Sequence, residues 1–324
     1  MGTHAERGLT RVGGARRPGS LLAEVVRRVG ATDSQGKTGS SPWSQAVDVS
    51  VAAKPRPRSE LLLQALRPLT DALVALFGRL GVHPHALVVT HALLGAIAAS
   101  LVALGQGLWV WAAVLLQAKT LLDNLDGGVA RATGRVTRLG RYLDSVLDTF
   151  VNLLLFTALA LHGPGAWAWP LAALAALALT LILSLDFNLE QRYKALRAAP
   201  GQPEQRAPVG GPPSVYRFFR GAYQRLLAPQ DRVLARLDEA LFERVAGRPY
   251  EQAQLESRLA WSDMFSTATL VNLGLSTQLL VLGVCLVVGA PFAYVWFVLA
   301  AFAYALAVQA ARVWRFKRFS EGAT

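Results

Sequence analysis

The chain has 324 residues, of which 53% are hydrophobic and only 17% are charged, and its mean hydropathy is +0.34. A soluble domain rarely has so apolar a composition, and the apolar residues fall in long blocks, so an integral membrane protein is predicted. The net charge of +12 would suit a nucleic-acid-binding protein. The arginines, however, concentrate in loops between the apolar blocks, which is the pattern of membrane topology and excludes a nucleic-acid partner. A single cysteine, Cys285, excludes a disulfide framework.

The first 80 residues contain no segment that is predicted to cross the membrane. Residues 1–58 are rich in Gly, Ser, Arg and Pro, which predicts a disordered, basic cytoplasmic tail. Residues 59–80 are amphipathic, carry spread charges and include Pro68, which would kink a helix. We therefore expect an N-terminal interfacial amphipathic helix that lies along the membrane.

The rest of the chain predicts an all-α fold with six transmembrane helices, at 86–104, 108–122, 140–161, 167–185, 267–289 and 292–311. Spans 1–4 fall within 81–185, and spans 5–6 with a basic C-terminal tail fall within 263–324. Between them, 186–262 is a polar segment in which apolar residues recur at helical spacing on both sides of Pro229, so a helical cytoplasmic insert is predicted. No separate domain can be recognised in it.

Six spans would place both termini on one side of the membrane. The segment 127–141, the insert and the C-terminal segment would share that side, and all of them are rich in arginine. The three opposite turns, at 105–107, 162–166 and 289–291, hold no Lys, Arg, Asp or Glu. This asymmetry predicts a multi-pass protein, in the cell membrane if the source is bacterial, with its termini and the segment 127–141 in the cytoplasm.

Four aspartates flank the turn that is predicted at 127–139. Asp123 and Asp126 are three residues apart and Asp144 and Asp148 are four apart, so each pair shares one face of a helix. Four neighbouring carboxylates need a counter-charge, and oxygen ligands suit Mg²⁺ or Mn²⁺. A carboxylate-bound ion with open positions commonly binds phosphate oxygens, so phosphoryl-type chemistry at a membrane surface is predicted.

The same stretch resembles the signature of the CDP-alcohol phosphotransferase family, also called CDP-alcohol phosphatidyltransferases. It has the form Asp-x-x-Asp-Gly-x-x-Ala-Arg, eight residues, then Gly-x-x-x-Asp-x-x-x-Asp, and 123–148 fills every fixed position. The resemblance implies transfer of a substituted phosphoryl group from a CDP-alcohol, often CDP-diacylglycerol, to a hydroxyl acceptor in phospholipid biosynthesis, with release of CMP. It also implies a membrane environment and a homodimer.

The resemblance assigns a role to each position of the motif. It implies that two Mg²⁺ or Mn²⁺ ions bind to four metal ligands, Asp123, Asp126, Asp144 and Asp148. It makes Asp148 the general base on the acceptor hydroxyl as well, and hence the catalytic residue. It implies contacts with the CDP moiety by Gly127, Ala130, Arg131, Thr137 and Gly140.

Polar residues close to the motif have less defined roles. Lys119 precedes Asp123 by one helical turn, and it is expected either to pair with the carboxylates, to meet substrate phosphate or to extend towards the membrane surface. Thr90 and His91 would line the nucleotide pocket, although the family's Pro-Asn-x-x-Thr pattern is only partly present at Pro84. A metal-binding role for the nearby histidines is less favoured, since the aspartates already provide a site.

Two other classes of function remain open from the sequence. A non-catalytic membrane protein of the same fold could bind partners through the insert, but intact aspartates argue against it. A metal-ion transporter would explain carboxylates near the membrane, but the other spans lack acidic residues. The acceptor alcohol is not determined by the motif, and glycerol phosphate, inositol phosphate, serine, choline and ethanolamine are alternatives.

Overall fold

The computed structural model describes residues 60–197 and 207–322, so the predicted tail at 1–58 lies outside the described residues. All regular structure in these two ranges is helical, as predicted. The α-helices, in chain order, are α1 (Leu61–Arg79), α2 (Pro84–Leu104), α3 (Trp109–Ala132), α4 (Arg138–Ala160), α5 (Ala168–Arg197), α6 (Pro213–Leu226), α7 (Ala228–Ala246), α8 (Leu255–Trp261), α9 (Met264–Leu270), α10 (Leu275–Val287) and α11 (Ala293–Gly322).

Six helical segments of the described residues are long and apolar enough to cross a membrane, which confirms a multi-pass integral membrane protein. They are Leu61–Arg79, Pro84–Leu104, Arg138–Ala160, Gly165–Arg197, Leu255–Val287 and Ala293–Glu321. The set differs from the predicted one in two places. It includes α1, whose interfacial position stays a prediction, and it leaves out α3, because the second half of α3 carries the charged residues of the motif.

The apolar half of α3 is nevertheless packed inside the bundle, between α2 and α10. Leu116 of α3 is fully buried in the same cluster as Ala98, Val151 and Leu282. Gly95 permits a close approach of α2 to α4, since a Cβ atom there would lie 2.5 Å from Val151 Cγ1. Small residues at helix contacts are the usual means of packing helices tightly in membranes.

Three turns come together at one end of the bundle. In the turn after α4, the His162 side chain forms a hydrogen bond of 2.7 Å with the Val102 carbonyl, near the end of α2. A Cβ on Gly163 would lie 2.4 Å from the Phe292 ring, and one on Gly289 would lie 3.6 Å from Gln106 Nε2. The uncharged turns are therefore neighbours, and the aspartates and the insert occupy the opposite end.

Helix boundaries differ from the sequence-based ones at the motif. Helix α3 continues to Ala132, so Gly127, Ala130 and Arg131 are helical and the connection to α4 is shorter than the turn predicted at 127–139. Two residues after the end of α3 the chain changes direction at Gly134, whose φ of +67° suits a residue without a side chain. Helix α5 also extends beyond the predicted span, to Arg197.

The segment predicted as the fifth span is interrupted rather than continuous. A short 3₁₀ turn, Val271–Leu273, separates α9 from α10. Asn272 Oδ1 accepts a hydrogen bond of 3.0 Å from the backbone N–H of Leu61. Gly274 leaves room for Glu60, because a Cβ there would lie 2.4 Å from Glu60 Oε1. Contacts with the start of α1 thus stabilise the break.

The described part of the insert is fixed to the bundle by buried polar contacts. Asp238 of α7 accepts hydrogen bonds from Arg312 of α11 and, at 3.2 Å, from Trp261 Nε1 of α8. It also forms an ion pair of 2.8 Å with Arg192 of α5. One carboxylate therefore joins α7 to three other helices, and the insert forms one wall of the bundle's polar end.

Candidate active site

Helices α3 and α4 bring the four predicted aspartates to one place. Asp123 and Asp126 lie on the face of α3 that is turned towards α4, and Asp144 and Asp148 lie one turn apart on the facing side of α4. Thr137 begins α4 by accepting a hydrogen bond of 3.0 Å from the N–H of Gly140. This N-cap sets the start of the helix and hence the register of the carboxylates.

His91 of α2 lies at the centre of these carboxylates. Its side chain is fully buried. Its Nε2 atom is 3.2 Å from Asp126 Oδ2, 3.6 Å from Asp144 Oδ1 and 3.7 Å from Asp123 Oδ1, and its Nδ1 atom is 3.8 Å from Asp148 Oδ1. The imidazole therefore touches all four members of the predicted metal site.

Lys119 supplies the buried positive charge of the site. Its side chain is fully buried, and its Nζ atom donates a hydrogen bond of 2.7 Å to Asp148 Oδ1. Of the expected alternatives, the structure shows the pairing with the carboxylate cluster rather than an extended side chain at the membrane surface. Because the ion pair lies in the interior, removal of either charge alone leaves the other without its closest partner.

The arrangement of side chains fits a divalent cation. His91, Asp123, Asp144 and Asp148 each offer one ligand atom, and these atoms lie within 4.8 Å of one another. Asp144 Oδ1 is buried and accepts no hydrogen bond from the described residues. A set of carboxylates with a single imidazole suits a hard ion such as Mg²⁺ or Mn²⁺.

The two glycines of the motif make room for neighbouring side chains. A Cβ on Gly127 would lie 3.1 Å from the guanidinium of Arg131, and one on Gly140 would lie 3.2 Å from the ring of His85. His85 Nε2 forms a hydrogen bond of 2.8 Å with Thr137 Oγ1. The glycines thus allow Arg131 and His85 to lie close to the backbone of the helices that carry the aspartates.

A pocket of about 580 Å³ opens above the carboxylates. All nine predicted site residues line it, namely Asp123, Asp126, Gly127, Ala130, Arg131, Thr137, Gly140, Asp144 and Asp148. His91 and Lys119 lie behind the aspartates and do not line the pocket. Thr90, which was expected to line it, is exposed on the outer side of α2 and is not part of it.

Two features of the site were not predicted from the sequence. The first is the central position of His91, for which a signal existed. This histidine lies on the buried face of α2, between Leu87 and Gly95 at four-residue spacing, and a polar residue on such a face of a membrane helix commonly marks a functional site. The second is a wall formed by α5 and the insert, including Ser184, Tyr223 and Asp231, which no motif indicated.

Comparisons with known proteins match the segment that carries these site residues. The sequence profile of the family described as CDP-alcohol phosphatidyltransferase matches residues 82–210. A protein of Aquifex aeolicus named bifunctional IPC transferase and DIPP synthase is 50% identical over 54 residues, which are 17% of this chain and 13% of that protein. A phosphatidylinositol phosphate synthase of Cutibacterium acnes is 36% identical over 105 residues, 32% of this chain and 48% of that protein.

A third relative, an archaetidylinositol phosphate synthase of Pyrococcus horikoshii, is 38% identical over 58 residues, 18% of this chain and 31% of that protein. The chain therefore spans less than half the length of each of these three curated relatives. The matched family segment runs from the start of α2 through the motif and ends before α6.

Fold and site together define an integral membrane protein with a carboxylate-lined pocket at the polar end of a helical bundle. The motif and its spacing agree with the profile match. Residues 82–210 match the model of the CDP-alcohol phosphatidyltransferase family, which is the family that the sequence motif resembles.

The Lys119–Asp148 pair should contribute strongly to stability. In detergent without divalent ions, Lys119→Met or Asp148→Asn alone should lower the free energy of unfolding by about 3–5 kcal/mol, because one buried charge loses its partner, and the double variant should lose less than the sum. The exposed Arg67–Asp71 pair, at 3.5 Å on α1, is a matched control and should contribute less than about 1 kcal/mol. If denaturant titrations showed equally small losses of unfolding free energy for both pairs, the interpretation of Lys119–Asp148 as a desolvated ion pair would be contradicted.

Proposed function

We propose that the chain is a membrane-embedded CDP-alcohol phosphotransferase. It moves a substituted phosphoryl group of the phosphatidyl type from a CDP-linked lipid, for which CDP-diacylglycerol is the leading candidate, to a hydroxyl acceptor and releases CMP. The observation that carries the proposal is the convergence of four aspartates from α3 and α4 in a pocket that all other motif residues also line. The family match and the names of the relatives support the same reaction class.

In this proposal Asp123, Asp126, Asp144 and Asp148 hold two Mg²⁺ or Mn²⁺ ions. Such ions neutralise the diphosphate of the donor and stabilise the departing CMP. The contacts of His91 with all four carboxylates keep them together and orient them. His91 is also near enough to Asp123, Asp144 and Asp148 to serve as a ligand itself, a role that the sequence alone did not favour.

The nucleotide end of the pocket lies where α2, α3 and α4 meet. We propose that Arg131 binds a phosphate of the donor through its planar guanidinium, which lies next to Gly127 because this residue has no side chain. Ala130, Thr137 and Gly140 line the same end and contact the CDP moiety in this proposal. Thr137 is held in place by His85, so the short connection between α3 and α4 is fixed before the donor binds.

Asp148 is the proposed general base. It lies one helical turn deeper than Asp144, and Lys119 Nζ is 2.7 Å from its Oδ1 atom. The ammonium orients the carboxylate and leaves the second oxygen able to accept the proton of the acceptor hydroxyl. The proton transfer requires an acceptor within hydrogen-bond distance of that oxygen.

Activity should depend on divalent ions and on the aspartates of α3. CMP release by the purified protein should stop in EDTA and return with Mg²⁺ or Mn²⁺, and Asp123→Asn and Asp126→Asn should abolish it by weakening the binding of the ion. Asp71→Asn, a partly exposed carboxylate on α1, is the control and should keep wild-type turnover. Undiminished CMP release in EDTA, with a panel of donors and acceptors, would refute the proposed chemistry.

The roles of general base and metal ligand can be distinguished by measuring donor binding and turnover for the same variants. Asp148→Asn should lower turnover by about 10²–10⁴-fold with calorimetric affinity for the CDP-donor largely kept, while Asp144→Asn should reduce both. Asp148→Asn leaves the ammonium of Lys119 unpaired, so the double variant with Lys119→Met shows whether a loss comes from destabilisation. Equal losses of donor affinity for both single variants would make Asp148 mainly a ligand.

We also propose that the pocket opens to the cytoplasm, because the end of the bundle that carries the arginines also carries the site. In a Cys285→Ser background, cysteines placed at Gln106 or Pro164 should react with an impermeant reagent added outside intact cells. A cysteine in place of the exposed Arg236 of α7 should react only after permeabilisation. The reverse labelling pattern would place the site outside the cell and contradict the proposal.

A further inference from the structure

The pocket extends beyond the family motif into a part of the chain that the family match does not reach. The matched segment ends at residue 210, yet Tyr223 of α6 and Asp231 of α7 line the pocket together with Ser184 of α5. These residues face the motif from across the pocket. The described insert therefore belongs to the site as well as to the bundle.

Asp231 is the centre of a hydrogen-bond network in this wall. One of its carboxylate oxygens accepts a hydrogen bond from Ser184 Oγ, and the other accepts one of 3.2 Å from Tyr223 OH. The Asn188 side chain donates to the Asp231 carbonyl at 3.3 Å. Both side-chain partners thus orient the carboxylate, and a carboxylate with two acceptor positions in use has further lone pairs for a ligand.

An acidic residue in the first turn of a helix is often explained by the helix dipole alone. In α7, however, the N-cap residue is Leu227, which forms no side-chain hydrogen bond with the start of the helix. The Asp231 carboxylate is turned away from its own helix, towards α5 and α6. The carboxylate therefore forms hydrogen bonds within the pocket wall and does not cap α7.

The same network is linked to the helix that carries Asp144 and Asp148. The Tyr223 ring packs on the ring of Tyr142, with 5.1 Å between the centroids, and Tyr142 lies two residues before Asp144. Burial, with the neighbouring charge of Asp231, raises the pKa of Tyr223, so the phenol remains a hydrogen-bond donor at neutral pH. The position of the insert is thus coupled to that of the catalytic helix.

The chemistry of this wall differs from that of the nucleotide end. Besides Asp231 and its partner Ser184, the pocket lining includes the hydroxyl and amide groups of Ser145, Thr149, Asn152, Thr180 and Gln230. Such groups, with a carboxylate, bind the hydroxyls of an alcohol well, and repulsion by the carboxylate would keep any phosphate of the acceptor away from Asp231 itself. The donor diphosphate is better matched by the aspartate-bound ions and Arg131 at the other end.

We propose that Asp231, oriented by Tyr223 and Ser184, binds a hydroxyl group of the acceptor and makes the insert a determinant of acceptor specificity. The acceptor class is a polyhydroxylated alcohol, which has a hydroxyl for Asp231 besides the one that reacts. This inference rests on the proposed function, since it assigns the second substrate of the same pocket.

The test compares Asp231→Asn, Tyr223→Phe and the wild-type protein in CMP-release assays with inositol phosphate, glycerol phosphate, ethanolamine and choline as acceptors. The wild-type protein should use the polyhydroxylated acceptors, and Asp231→Asn should raise their KM by about tenfold or more, the loss expected for a hydrogen bond to a charged group. Tyr223→Phe should have a smaller effect in the same direction. The KM for the CDP-donor and the unfolding midpoint should stay near wild type.

Glu243→Gln is the matched control, because it removes the same charge from the exposed side of α7 three turns further on. An acceptor KM within twofold of wild type for Asp231→Asn would overturn the inference, as would a wild-type preference for ethanolamine or choline. An equal rise in donor KM with a lowered unfolding midpoint in both variants would also overturn it, since the network would then only support the fold. Absence of CMP release by the wild-type protein with every substrate pair would contradict the proposed function itself, and the inference with it.

Discussion

The crowding of four carboxylates between α3 and α4 is the constraint on which the rest of the structure depends. Like charges at such distances repel strongly where water is excluded. The structure offsets this repulsion from behind, with the buried ammonium of Lys119 against Asp148 and the ring of His91 against all four aspartates. Both residues point into the site from the bundle interior, so the side that faces the pocket stays open for a cation and a substrate.

This constraint explains why the bundle is so tightly packed near the site. Lys119 and His91 can reach the carboxylates only because α2, α3 and α4 approach closely, and Gly95 permits that approach next to Val151 and the Lys119 side chain. At the polar end, the backbone N–H groups of Arg138 and Leu139 donate to the Pro208 and Val209 carbonyls at 2.9 Å. Residues 208 and 209 therefore provide partners for amides in the first turn of α4, which would otherwise lack them.

The insert has a role in the structure that its composition does not indicate. Its amphipathic spacing is equally compatible with helices that merely cover a surface. Asp238 joins it to α5, α8 and α11. Asp231, on the same helix, lines the pocket and accepts a hydrogen bond from Ser184 of α5. Two carboxylates seven residues apart on α7 thus face the bundle, one for support and one beside the proposed acceptor position. In the proposed reaction two substrates would need two differently lined ends in one pocket, and the insert would provide the second.

The sequence by itself determined the helical membrane fold and indicated the nine predicted site residues that line one pocket. Long apolar blocks and helical spacing are local properties of the chain, so they can be read without knowing how the helices pack. The eight fixed positions of the motif are local as well, since they lie within 26 residues of each other. Only the tertiary structure decided the partners that come from distant segments. His91 and Tyr223 reach the site through the packing of α2 and α6 against α4, and Asp231 reaches it through the packing of α7 against α5. The break at 271–274 depends on contacts with Glu60 and Leu61. Such contacts follow from how helices meet in space, which no local spacing in the chain encodes.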